Sequence, residues 1–104
     1  MRFLVRIVAH LHGGPAGEHI DRLNAAETAR GIELMRSGAI EQIWRIDGPI
    51  RGNIGIWNVT DRRALDQLIN SLPMRRYLSV AEVAMLQPHA VTQALAEDAE
   101  LRTY

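Results

Sequence analysis

The sequence predicts an α+β domain of ferredoxin-like class: a four-stranded antiparallel sheet with two helices on one face. Three observations lead there. Four stretches alternate apolar and polar residues or are rich in β-formers, and two others carry apolar residues at helical spacing. These stretches follow one another as strand, helix, strand, strand, helix, strand, the split βαβ order. The two middle strands are separated only by a short turn beginning Gly48-Pro49, which makes them an antiparallel hairpin.

The first strand is expected over residues 2–11, with Phe3, Val5, Ile7, Ala9 and Leu11 on one face and Arg2, Leu4, Arg6, Val8 and His10 on the other. His12-Gly-Gly-Pro-Ala-Gly17 is a cluster of breakers and reads as a loop. The first helix covers Ile20 to Met35, with Ile20, Leu23, Gly31 and Leu34 along its apolar stripe. Ser37-Gly38 closes it with a glycine where a left-handed cap is wanted.

A second strand is expected over residues 39–47, grouping Gln42, Trp44 and Ile46 on one face and Ile43 with Arg45 on the other. The third runs from Asn53 to Val59. Thr60-Asp61 then offers N-cap chemistry to a helix carrying Leu65, Leu68, Ile69 and Leu72, which Pro73 stops. Leu78 to Gln87 alternates less cleanly and is read as the fourth strand. From Pro88 the chain is Ala-rich and acidic, either a short helix docked on a neighbour or a frayed end. Two helices cover only one face of a four-stranded sheet. The other face carries Trp, Val, Leu and Ile side chains, so a homo-oligomer is expected.

Composition narrows the function classes. The 104 residues make one domain, and 47% hydrophobic content gives it a core. Twelve basic residues balance twelve acidic ones, so no general electrostatic argument favours nucleic acid or an anionic membrane. Every basic residue is Arg, which removes a Schiff-base lysine, and the absence of cysteine removes disulfides, thiol nucleophiles and thiolate metal sites. Arg2 and Arg6 break the N-terminal apolar run, so neither a signal peptide nor a membrane span is expected, and the cytoplasm is the default location.

The residue that stands out is Glu27. At about 100° per residue it falls near the middle of the apolar stripe of the first helix. An ionised, unpaired carboxylate there costs several kcal/mol if buried. Two readings stay open: a helix rotated slightly or a Glu capped by a neighbouring Arg, and a general base held in a desolvated pocket with its pKa raised.

The other candidates are each weighed against a plainer role. His10 and His12 share one face of a strand end, but no third ligand accompanies them at a recognisable spacing, and no metal is assigned. The glycine-rich loop lacks the Lys-Ser/Thr and the dinucleotide spacing of phosphate-binding loops. Trp44 and Trp57 lie on neighbouring strands as core or interface anchors, or as a wall for a small ligand. Arg45, Arg51, Arg75 and Arg76 are candidate carboxylate clamps, though an isolated arginine is more often a solvated surface charge. Asn53 and Tyr77 are either donors toward an oxyanion or, respectively, turn chemistry and a packed aromatic.

Glu27, Arg36-Ser-Gly38, Ile43-Trp-Arg-Ile46 followed by Gly48, Asn53, Ser71-Leu-Pro73, Tyr77 and His89 together resemble the muconolactone Δ-isomerase family. The likeness runs over residues 1–91 in the same order with nearly the same spacing, leaving residues 92–104 as a tail that could pack on a neighbouring subunit. It implies a ferredoxin-like fold, assembly into rings that are typically decamers, and a place in aromatic-compound catabolism. The implied reaction is a cofactor-free double-bond shift in a butenolide bearing a carboxymethyl arm. The resemblance gives Glu27 the role of proton shuttle and puts Trp44, Arg45, Asn53 and Tyr77 at the pocket; Arg51, Arg75 and Arg76, where the chain departs from the family, are further candidates for an acidic substrate group.

The chain also departs from the family. Pro-Ile-Arg-Gly-Asn53 follows Gly48 where a His-Tyr-type pair and one fewer residue are usual. Met-Arg-Arg-Tyr77 follows Pro73 where Leu-Phe-Pro-Tyr is favoured, and Gly55 stands where a Ser is usual. These positions border the expected pocket, so they leave the reaction type in place and open the identity of the lactone. A lactone dehalogenase, a small monooxygenase and a non-catalytic ligand-binding or assembly subunit are the competing readings.

Overall fold

The computed structural model describes residues 1–11 and 16–102. The elements are β1 (Arg2–Ala9), α1 (Glu18–Arg36), β2 (Ile40–Ile46), β3 (Gly52–Asn58), α2 (Arg62–Asn70), a 3₁₀ turn (Arg75–Tyr77), β4 (Leu78–Leu86) and α3 (Ala90–Arg102). The sheet order is β2-β3-β1-β4, and every neighbouring pair is antiparallel. This is the expected α+β, ferredoxin-like architecture. His12, with its suggested pairing to His10, and most of the glycine-rich loop lie outside the described residues.

The core forms between one sheet face and the first two helices. Phe3, Val5 and Ile7 of β1 and Trp57 of β3 meet Leu34 of α1 and Leu65, Ile69 and Leu72 of α2 and the residues after it. Helix ends follow local chemistry. The Asp61 carboxylate accepts the Ala64 N–H at 2.7 Å at the start of α2. Gly38, at φ 85°, supplies the left-handed step after α1.

Two register shifts place side chains that simple alternation does not. Between Ile40 and Gln42 the β2–β3 ladder slips, leaving Glu41 as the extra residue; Ile40 pairs with Trp57 and Ile43 with Gly55, so both isoleucines face the helices. In β4 the ladder slips opposite Arg6 and Ile7, and Val80 and Val83 pair with the inward residues Ile7 and Val5. This bulge accounts for the poor alternation of that strand.

Trp44 and Trp57 do not share a wall. Trp57 is 1% exposed in the core, whereas Trp44 is 53% exposed on the opposite sheet face. Trp44 pairs with Ile54 in the ladder, and Ile54 and Trp57 are an odd number of residues apart on β3, which puts their side chains on opposite faces. The C-terminal segment is helical: α3 begins at Ala90, straddles the boundary suggested at residue 91, and residues 90–100 are exposed within the single chain.

Candidate active site

The stripe of α1 that holds Leu34 in the core also carries Glu27 and Gly31, spaced so that all three face the sheet. Opposite them, Ile7 of β1, Ile40 and Ile43 of β2, and Asn53 and Trp57 of β3 form a floor, with Leu72 closing one side. These residues and Thr28 enclose a cavity of about 210 Å³. That is smaller than the roughly 300–1,000 Å³ of pockets for drug-sized ligands and suits a compact one. Gly31 keeps the helix side open, since a Cβ there would meet nothing within 4 Å.

Glu27 is half-buried, and its Oε2 accepts the backbone N–H of Met74 at 2.6 Å. Burial pushes its pKa above the usual 4.5, and the Met74 hydrogen bond offsets part of that rise. The rotated-helix and arginine-capped readings do not describe this arrangement. Arg30, on the next turn, donates to Glu33 at 2.8 Å and to Ser71 Oγ at 2.9 Å, and no arginine among the described residues pairs with Glu27.

Two further polar groups at this cavity are buried without a partner among the described residues: Asn53 Oδ1 and Trp57 Nε1. Leaving such a group unsatisfied costs about 1–3 kcal/mol each, so two in one small cavity make it the candidate binding site. Larger clefts exist elsewhere. One of about 490 Å³ lies between the N-terminus and the end of β4, lined by Met1, Arg2, Asn58, Met85, Leu86, Gln87 and Pro88. Its one charged side chain, Arg2, is engaged by Glu41 at 2.8 Å. Chemistry rather than volume favours the Glu27 cavity.

The remaining sequence candidates scatter. Arg45 pairs with Asn53 in the ladder and so starts from the same sheet face as the cavity; its guanidinium reaches outward to Asp47 at 2.9 Å, with the side chain 83% exposed. Arg51 is exposed and lines clefts beside the β2–β3 turn, one with Arg45 and Asp47 and another with Arg6 and His10. Arg76 stacks 5.3 Å above the Tyr77 ring. Tyr77 itself is half-buried, and its carbonyl accepts the His10 N–H at 2.7 Å. Arg75 is occupied structurally, donating to Leu78 O at 2.6 Å and Asn70 Oδ1 at 2.9 Å. The cavity thus unites Glu27 and Asn53 and leaves out Trp44, Arg45, Arg51, Arg76 and Tyr77.

Sequence reasoning offered Trp57 only as a core anchor or an apolar wall, and passed over its indole N–H and the Met74 amide as site groups. The alternation Asn53, Gly55, Trp57 places Trp57 beside Asn53 and was the available signal. The Met74 amide has none, because its meeting with Glu27 is made by tertiary packing.

A family model described as muconolactone delta-isomerase matches residues 1–92. The muconolactone Delta-isomerase of Acinetobacter baylyi is 33% identical over 89 residues, covering 86% of this chain and 91% of that protein. The muconolactone Delta-isomerase of Rhodococcus opacus is 36% identical over 69 residues, covering 66% of this chain and 72% of that protein. A crystal structure of muconolactone isomerase superimposes with a TM-score of 0.73 at 28% identity, covering 86% of this chain and 92% of that one.

Proposed function

The chain belongs to the muconolactone delta-isomerase family, a family of intramolecular isomerases, and from that membership and the Glu27 cavity we propose that it shifts a ring double bond in muconolactone or a related carboxymethyl butenolide, without a cofactor, in the breakdown of aromatic compounds. The observation that carries this reading is one small cavity holding a carboxyl group of raised pKa and two unpartnered polar atoms.

Ionised Glu27 removes the proton from the ring carbon that bears the ring oxygen. The released electron pair moves through the ring double bond onto the lactone carbonyl oxygen, giving a dienolate. Protonated Glu27 then delivers a proton to the carbon beside the carbonyl, and the double bond ends one position along the ring. The carboxylate is regenerated and no group is lost. Burial strengthens the base, while the Met74 N–H fixes one carboxylate oxygen and leaves the other for the proton. Asn53 contributes a neutral polar contact to the bound ring.

Arg45 is the cation best placed for the pendant carboxylate, because its strand position adjoins Asn53. Its pairing with Asp47 is solvent-exposed, and such pairs are worth about 0–1 kcal/mol, so exchanging Asp47 for a substrate carboxylate costs little.

The functional unit in this reading spans residues 1–91, works in the cytoplasm and assembles with copies of itself, a decamer by the family resemblance. The open sheet face, with exposed Trp44, and α3, with Val91 and Leu95 68% and 67% exposed, are the surfaces that support self-association.

Ultraviolet-monitored turnover of muconolactone by the wild type and by Glu27→Gln, with no added cofactor, tests the reading. Fast wild-type conversion that drops by orders of magnitude in the variant is expected. A folded wild type that leaves muconolactone unchanged rejects it as substrate, and undiminished turnover in Glu27→Gln rejects Glu27 as the base.

A further inference from the structure

Among the polar groups of the Glu27 cavity, the indole of Trp57 has the narrowest chemistry. Its nitrogen is a donor only: it neither accepts a hydrogen bond nor titrates in the range where the protein is folded. Glu27 is a base, and the Asn53 amide can present either its oxygen or its nitrogen. Trp57 is also the most rigidly held of the three, 1% exposed and packed into the core beneath β3. Its Nε1 is buried and has no partner among the described residues.

Gly55, next inward on the same strand face, is the residue whose missing side chain spares that nitrogen a close contact. A Cβ built on Gly55 would lie 3.4 Å from Trp57 Nε1 and 3.1 Å from the Gln42 carbonyl oxygen. Gly55 and Trp57 therefore act together, one leaving the indole edge uncrowded and the other supplying a fixed N–H.

We propose that the Trp57 indole N–H, left uncrowded by Gly55, donates to the lactone carbonyl oxygen of the substrate and stabilises the charge that oxygen gains in the dienolate. This rests on the isomerase reading given above. A rigid donor in a water-poor cavity stabilises developing charge without having to reorganise, and so acts chiefly on kcat. A donor to the pendant carboxylate, whose charge does not change during the reaction, would act on KM alone.

The test compares the wild type with Trp57→Phe and with a protein carrying benzothienylalanine at position 57, an isostere whose sulfur replaces the N–H and preserves the packing. With muconolactone as substrate, both changes are expected to lower kcat about 10²-fold, with KM little altered. Unchanged kcat in the folded isosteric variant overturns the proposal and leaves the isomerase reading standing, as does a rise in KM alone. A wild type inert toward muconolactone removes the isomerase reading and this proposal with it. A second readout needs no turnover. The protein has two tryptophans, so ¹⁵N-indole spectra show two side-chain resonances, assigned by Trp57→Phe. Adding the saturated γ-lactone with a carboxymethyl arm should move the Trp57 N–H resonance downfield; a resonance that stays in place while the analogue binds overturns the proposal.

Discussion

The Glu27 carboxylate and the Met74 backbone N–H, 47 residues apart in the chain, meet at 2.6 Å. The bond ties the middle of α1 to the segment after α2, so the proposed base is positioned by the packing of both helices rather than by its own helix. Its two influences oppose each other: burial disfavours the carboxylate form, and the N–H favours it. Burial is the larger, and the group is a stronger base than a surface glutamate while remaining hydrogen-bonded.

The sign of that shift predicts two pH effects. In the proposed mechanism only ionised Glu27 starts the reaction, so kcat/KM should rise with pH along a limb set above the ordinary 4.5. Stability should run the other way. The folded state binds this proton more tightly than the unfolded state, so its contribution is fully present below the unfolded pKa and is lost as pH rises through the folded one. Denaturant midpoints of wild type and Glu27→Gln across the acid range check this. The variant should gain on the wild type as pH rises, and parallel curves would contradict the assigned shift.

Gly31 offers a substitution that separates stability from activity. A Cβ there meets nothing within 4 Å, and Gly31 lines the cavity. Gly31→Ala should stabilise α1 by about 0.5–1 kcal/mol, the usual cost of glycine in a helix interior. The added methyl enters the roughly 210 Å³ cavity, so KM should rise. Thermal melting and steady-state kinetics on one preparation would show both changes together; a raised Tm with unaltered kinetics would place the substrate elsewhere.

Element order and most boundaries were legible because each helix and strand carries its own local signal. Asp61 and Gly38 mark ends, and Leu65, Ile69 and Leu72 repeat at helical spacing. What was not legible depends on pairing between strands. The bulge at Glu41 turns Ile40 and Ile43 to one face, and no pattern within β2 announces it. Glu27 was recognisable as an inward carboxylate from helical periodicity alone. Its partner Met74 was hidden, because a backbone N–H has no sequence signature. Trp44 and Trp57 do lie on neighbouring strands, but strand parity, applied through the register, puts them on opposite faces, so they form no common wall. The helical tail was ambiguous for a related reason: residues 90–100 are exposed within the chain, and no amphipathic stripe marks them.

Trp44 gives the test of self-association. It stands 53% exposed on the face away from Glu27, among the half-buried Leu4, Ile54 and Ile56. Trp44→Asp places a charge at the β2 edge of that apolar face and should shift sedimentation toward smaller species. A wild type that sediments as a monomer would remove the assembly reading. An unchanged assembly in Trp44→Asp would move the interface to another surface, with α3 the next to vary.

Gly52 is the opposite case to Gly31. It sits in β3 between Val8 of β1 and Ile46 of β2, and a Cβ on it would overlap the backbone carbonyl of Ile7. The obstruction is main chain, so no rotamer change relieves it, and the β1–β3 ladder has to part. Gly52→Ala should therefore destabilise the fold by about 1–3 kcal/mol, in the range of overpacked interiors. Because Ile7 and Asn53 both line the Glu27 cavity, the same displacement should lower kcat/KM under conditions where the variant is still folded. Urea denaturation paired with kinetics at low temperature measures the two effects separately. A variant of wild-type stability would show that the strands separate here at little cost, and that this close approach does not set the cavity floor.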